Sequence, residues 1–200
     1  GQKAMIITPN QIQAFDLPGA AWRYACDLIE RFGQKVITED GQTTKEIQNL
    51  VLQVKNPHIG WPIAGSGWDI PALDIHVADQ ILGSANRTGF SYTYGERIAP
   101  QLESLVGKLR ANPETRRAVI SLWQESDYDI EHPPCWMVLE FLHRGDQLDL
   151  TAFIRSNDIK QAWPANVYGL SKLLLHVATR AEMIAGSITT ISASAHIYQD

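Results

Sequence analysis

Residues 167–183 run apolar on most sides at helical spacing, with Val167, Leu170, Leu173, Leu174, Leu175 and Val177 spread around the helix. A helix without a wide polar face needs cover all round, so this chain must build a sheet and further helices around it. Just before it, 138–142 and 148–154 flank the turn Arg144-Gly145-Asp146, which predicts a β-hairpin. Amphipathic spacing predicts helices over 20–31 (ended by Gly33), 71–82 (ended by Gly83) and 101–109. Residues 50–54, 118–123 and 187–192 read as strands, and the Gly- and Pro-rich stretch 57–67 as a loop inside the domain. Helices and strands intermix without a regular βαβ alternation. The expectation is therefore an α+β fold with a mixed or antiparallel sheet, formed by one domain over 1–200.

Bulk properties remove several classes of function. A net charge of −5 gives no general attraction to nucleic acid or an anionic membrane, so any phosphate site must be a local arginine cluster. No apolar run approaches the roughly 20 residues of a membrane span. No signal-peptide pattern opens the sequence, and Cys26 and Cys135 are too few for a disulfide scaffold. A reducing, cytoplasmic setting is expected.

Chemistry-bearing residues cluster late in the chain. Cys135 follows two prolines, which deny it backbone donors on the preceding side. A lone cysteine is more often packed than reactive, and positive charge is needed to make it a nucleophile; Arg155 supplies that charge if their strands pair. Cys26 lies on an apolar helix face and is expected to be core. Arg116, Arg117, Arg155 and Ser156 offer forked and hydroxyl donors for phosphate oxygens. Asn166 both donates and accepts, which matches the O4 acceptor and N3–H donor of uracil; as a residue at the start of a helix it could equally be a cap. His196 and Tyr198 share a face at i, i+2 spacing. A thiol, a phosphate clamp and a bidentate amide are together what sulfur addition to a pyrimidine nucleotide requires.

In that order, Pro-Pro-Cys135-Trp, Arg155-Ser156-Asn157-Asp158, Trp163-Pro164-Ala165-Asn166 and His196-Ile197-Tyr198 resemble the thymidylate synthase family, nucleotide hydroxymethylases included. With Tyr92-Thr93-Tyr94-Gly95-Glu96-Arg97, the chain looks most like its short archaeal-type members. The resemblance implies a large mixed β-sheet packed with helices, with one sheet face forming a homodimer interface. It implies Cys135 as nucleophile, Tyr94 as a proton-moving neighbour, and Arg155 and Ser156 as phosphate ligands of the same subunit. Arg116 and Arg117 would reach the partner's phosphate across shared active sites. Asn166 would read uracil, where members acting on dCMP tend to carry aspartate; His196 and Tyr198 would bind the sugar 3′-hydroxyl, and Asp158 the pterin ring.

The implied activity is reductive methylation of dUMP to dTMP with 5,10-methylenetetrahydrofolate, or methylenetetrahydromethanopterin, as co-substrate and no metal. Two alternatives are a dUMP, dCMP or CMP hydroxymethylase and a non-catalytic nucleotide-binding homologue. Some positions depart from the family pattern. Trp136 replaces a histidine, and the helix over 71–82 lacks a glutamate, leaving Asp74, His76 and Asp79 as ionisable substitutes. The early loop has no arginine and offers only Gln42 and Lys45; Ala162 and Ala165 replace larger or glycine residues of the folate pocket. Family members also continue beyond Tyr198 into a closing tail, so this sequence is either shortened or closes its site differently.

Overall fold

The computed structural model describes residues 12–86, 89 and 91–199. In chain order the elements are β1 (Gln13–Phe15), α1 (Pro18–Phe32), β2 (Gln34–Ile37), β3 (Thr43–Val54), α2 (Ile70–His76), α3 (Tyr94–Ala111), β4 (Val119–Ser121), β5 (Trp136–Arg144), β6 (Gln147–Asp158), α4 (Trp163–Ala181) and β7 (Ile184–Tyr198). A π-helical turn, Val77–Ile81, extends α2, and a 3-10 turn, Glu125–Asp129, follows β4.

One mixed sheet carries seven strands in the order β1-β3-β7-β6-β5-β4, with β2 paired to the first residues of β3. β6 and β7 run parallel, and the β5–β6 hairpin and the β3–β7 pair are antiparallel. The mixed sheet and its helical cover are the architecture expected from the sequence. α4 is the helix read as apolar on most sides: Leu170, Leu173, Leu174 and Val177 are fully buried, while Leu175 stays 47% exposed, so the cover is not complete. Each such buried side chain contributes roughly 1.5–3 kcal/mol relative to leaving it exposed. α4 spans two cores on one sheet face. Its C-terminal part meets α3 (Ile98, Leu105, Leu109) over Leu139, Phe141, Leu150 and Ile154, and its N-terminal part meets α1 (Ala21, Trp22, Ile29) over Leu50, Leu52, Ala195 and Ile197.

Several elements run beyond their expected bounds; β3 starts at Thr43 rather than 50, and β6 reaches Asp158 rather than 154. α3 starts at Tyr94 rather than 101, because Thr93 and Glu96 form a capping box in which each side chain bonds the other's backbone N–H. β7 runs through to Tyr198. α4 begins at Trp163, so Asn166 lies in the first helical turn, its own N–H bonded to Ala162 O, and is not the N-cap.

The regular alternation of strand side chains breaks at one level of the sheet. Inward side chains step by two and then by three: Ile154 to Asn157 in β6, Ser192 to Ala195 in β7, Leu50 to Ile47 in β3. The breaks lie side by side, at Arg155, Ala193 and Asn49, and Asn49 takes the left-handed φ of 56°. An extra residue in each strand at the same level keeps the ladder in register while turning every later side chain to the opposite face. Beyond the break Ala195 and Ile197 pack under α1, so Ser194, His196 and Tyr198 face away from it. On the uncovered sheet face, Val138, Phe153, Ile191 and Val51 form a half-buried apolar row across four strands.

Candidate active site

Cys135 stands at the entry to β5 with its backbone held from two sides. Its N–H donates to the Tyr94 hydroxyl at 3.3 Å, as does that of Trp136 at 3.4 Å. Its carbonyl accepts from Arg155 N–H at 2.9 Å. The Arg155 guanidinium donates from Nε to Pro134 O at 2.9 Å and from Nη2 to Pro133 O at 2.7 Å. The two prolines thus do more than withhold donors: their carbonyls anchor the guanidinium beside the thiol.

In front of Cys135 lies a cavity of about 590 Å³, lined among others by Arg155, Ser156, Ser194, His196 and Tyr198. The turn between β2 and β3 closes one side through Thr38, Glu39 and Asp40, and Glu131, His132 and Pro133 close another. Burial pushes the Cys135 thiol above its ordinary range, while the Arg155 charge pulls it down and only partly offsets the burial. Arg155 therefore acts as the sequence led us to expect, but desolvation is the larger effect. Cys26, packed against the α1 core, has its thiol pushed up to about 11 by burial, in keeping with a structural role.

Tyr94 is the first residue of α3 and stacks on Trp136 with ring centroids 4.3 Å apart. Burial drives its hydroxyl far above the ordinary phenol range, so it stays protonated. Its oxygen accepts the two backbone N–H groups, leaving its own proton to donate. Gly95 is needed behind it: a Cβ there would stand 2.0 Å from Gly83 O. Trp136, where a histidine was expected from the resemblance, is fully buried and belongs to the hydrophobic core.

Asn166 does not line the Cys135 cavity directly. Its Nδ2 donates to Asn157 Oδ1 at 3.1 Å, and Asn157 Nδ2 donates to Ser192 Oγ at 3.1 Å, so this amide is tied to β6 one residue beyond Ser156. Asp158 faces a separate cavity with Gln42, Lys160, Gln161 and Tyr198, and its Oδ1 accepts the N–H groups of Lys160 and Gln161, both at 3.1 Å. Lys45 donates to the carbonyl and carboxylate of Glu30, so neither Gln42 nor Lys45 lines the Cys135 cavity. Arg116 and Arg117 are exposed and border another cavity with Lys108, Asn112 and Thr115. Cys135, Arg155, Ser156, His196 and Tyr198 thus share one cavity within the chain, and Arg116, Arg117, Asp158, Asn166 and Tyr94 do not line it.

A larger cavity, about 830 Å³, adjoins across Glu131 and His132 and is walled by His76, Gln80, Ser91, Tyr92, Tyr94 and Ile130. Of the three ionisable residues offered by the helix over 71–82, His76 alone lines it; its Nε2 is buried without a hydrogen-bond partner among the described residues, and burial lowers its pKa. Asp74 instead accepts from the Tyr168 hydroxyl at 2.6 Å. Sequence reasoning missed Glu46, Ser194 and Asn157. Ser194 precedes the His-x-Tyr run by two residues and shares its face, which is the one local signal; Glu46 reaches the site only through the β3–β7 register. Among the described residues, no cluster of His, Cys, Asp and Glu could hold a metal ion, and no helix is long and apolar enough to cross a membrane.

A mixed sheet with a thiol facing a polar cavity near an arginine defines an α+β protein built around a cysteine-centred site. Comparison with known proteins narrows this to one family. The thymidylate synthase family model matches residues 30–200. A relative from Methanococcoides burtonii is 36% identical over 185 residues, covering 89% of this chain and 85% of its own length. Relatives from Methanothermobacter marburgensis (33% over 201 residues, 89% and 88% covered) and Methanopyrus kandleri (35% over 193 residues, 90% and 88% covered) are similar over a like extent. All three bear the name "Putative thymidylate synthase". This chain belongs to the thymidylate synthase family.

Proposed function

We propose that this protein, as a single catalytic domain, methylates dUMP to dTMP with a methylene-tetrahydropterin as co-substrate. The observation that carries the reading is the Cys135 thiol facing the same cavity as Arg155, Ser156, His196 and Tyr198. In this reading the Cys135 sulfur adds to C6 of the uracil ring and makes C5 nucleophilic. Tyr94, its oxygen held by the Cys135 and Trp136 N–H groups and its hydroxyl protonated, acts as a proton donor toward the reacting centre. In this reading Asn166, whose amide is set by Asn157 and does not line the Cys135 cavity, is the residue assigned to O4 and N3–H of the base.

The pterin supplies both the carbon and the hydride. The His76–Tyr92–Tyr94 cavity fits a flat, polar-edged ring: aromatic walls flank a buried imidazole nitrogen that lacks a partner. We assign the pterin ring there; Asp158, the pterin ligand implied by the resemblance, faces a separate cavity. The reading is checked by supplying methylenetetrahydrofolate with dUMP, dCMP or CMP while following dihydrofolate absorbance. Methylation predicts dihydrofolate and dTMP from dUMP alone. A hydroxymethylated product without dihydrofolate would establish the hydroxymethylase alternative.

The same reading makes the protein a homodimer with shared sites. Among the described residues that line the Cys135 cavity, Arg155 is the one arginine, against the carboxylates of Glu39, Asp40, Glu46 and Glu131. A nucleotide 5′-phosphate dianion needs more positive charge than that. Arg116 and Arg117, exposed and outside the cavity, supply it from a second copy whose Val51–Val138–Phe153–Ile191 row packs on this one. Mixing inactive Cys135→Ala and Arg116→Ala subunits is expected to restore about a quarter of wild-type activity, since half the dimers are mixed and each holds one intact site. Activity that stays at the level of the single variants would contradict shared sites.

A further inference from the structure

Behind His196, two side chains unused by the reading above form a chain of hydrogen bonds. The Ser194 hydroxyl donates to Glu46 Oε2 at 2.5 Å and lies 3.2 Å from His196 Nδ1. Glu46 and His196 are directly opposite one another in the β3–β7 ladder, with Ser194 two residues along, so backbone register sets the arrangement. All three residues border the Cys135 cavity, and His196 is 7% exposed.

We propose that Glu46 and Ser194 are positioning residues that fix the ring proton of His196 on Nδ1, leaving Nε2 as an acceptor for a ligand hydroxyl. A serine hydroxyl has one proton. The short contact to a carboxylate, which is an acceptor only, commits that proton to Glu46. Ser194 Oγ therefore meets His196 as an acceptor, and Nδ1 must be the protonated nitrogen. In the neutral ring Nε2 then carries the lone pair, the same logic by which a carboxylate fixes the tautomer of a metal-bound histidine. An acceptor at Nε2 selects a ligand that presents an O–H donor and disfavours one that lacks it or carries an ether or ester there. The inference rests on the reading that a nucleotide sugar sits against His196. It adds to that reading the residues that impose the donor requirement.

Two measurements separate failure of the relay from failure of the reading. Long-range 15N–1H spectra of histidine-labelled protein, with His196→Gln for assignment, report the tautomer without any nucleotide. A protonated Nδ1 in wild type, lost in Ser194→Ala and kept in Ser194→Thr, is expected; a protonated Nε2 in wild type would overturn the relay. Binding of dUMP and of 2′,3′-dideoxy-UMP is then titrated. Ser194→Ala and Glu46→Gln are expected to weaken dUMP roughly tenfold and the dideoxy analogue less than about twofold, with Ser194→Thr restoring dUMP affinity. Equal weakening of both nucleotides would overturn the proposal in favour of a purely structural role. Wild-type protein that shows the Nδ1 proton but binds neither nucleotide would support the relay and overturn the dUMP reading.

Discussion

Replacing Cys135 with alanine is expected to lower the turnover of dUMP by at least about 10⁴-fold, roughly 5.5 kcal/mol of transition-state stabilisation. The sulfur is the atom that bonds C6, and the other described side chains that could attack from this cavity are hydroxyls (Thr38, Thr44, Ser156, Ser194, Tyr198), intrinsically far weaker nucleophiles than a thiol. Nucleotide affinity should change by no more than about threefold, because the hydrogen bonds that shape the site run from the Cys135 backbone and survive truncation of the side chain. Cys135→Ser keeps the size of the side chain but not a thiol's acidity, and is expected to fall within about tenfold of the alanine variant. Cys26→Ala serves as the control: its thiol packs against the α1 core and does not line the Cys135 cavity, so turnover should be unchanged. Substantial turnover by Cys135→Ala would remove the covalent route.

The second large effect is on stability. Arg97 of α3 and Asp127 of the 3-10 turn form a two-pronged ion pair, Nη1 to Oδ2 at 2.6 Å and Nη2 to Oδ1 at 2.7 Å, with side chains only 11% and 2% exposed. Arg97 Nη1 also donates to Leu122 O, its guanidinium lies over Tyr92 with 4.5 Å to the ring centroid, and Asp127 accepts from Gln124 N–H. The pair thus fastens the start of α3, which carries Tyr94, to the segment leading to Cys135. Asp127→Ala leaves a buried guanidinium unpaired and is expected to cost about 3–5 kcal/mol. For a chain of this size that lowers Tm by roughly 8–15 °C, measured by calorimetry. The Arg97 guanidinium holds the Asp127 carboxyl below the usual carboxylate range. Because the folded-state value is depressed, the stabilisation is complete above about pH 4 and is lost as pH falls through the lowered value. The wild-type and Asp127→Ala stabilities should therefore converge in acid. A Tm loss of under about 2 °C at neutral pH would show the pair to be dispensable.

The layered mixed fold was legible because its signals are local. The apolar girdle of α4, the Arg144-Gly145-Asp146 turn and the stops at Gly33 and Gly83 each act within a few residues. The early start of α3 has a local signal too, the capping-box spacing of Thr93 and Glu96. β1 and β2 were not legible: each is only three or four residues, held by pairing with β3 and not by its own pattern.

The site divides in the same way. Cys135, Arg155, Ser156, His196 and Tyr198 were named from motif order, and the structure brings them to one cavity. Glu46 was invisible because it lies 150 residues from His196 and meets it only through antiparallel register. The level shift of side chains at Asn49, Ala193 and Arg155 was equally hidden, since period-2 reasoning assumes an unbroken strand. The raised thiol pKa follows from burial, a property of the assembled fold that charge counting along the chain does not reach.

The most direct measurement is intact-protein and peptide mass spectrometry after incubation with 5-fluoro-dUMP and methylenetetrahydrofolate. With fluorine at C5 in place of the departing proton, sulfur addition and carbon transfer should proceed and then stop. The account predicts a stable adduct carrying the mass of both molecules, located on the peptide that contains Cys135 and absent from Cys135→Ala. Unmodified protein, or an adduct that persists without the Cys135 sulfur, would contradict it.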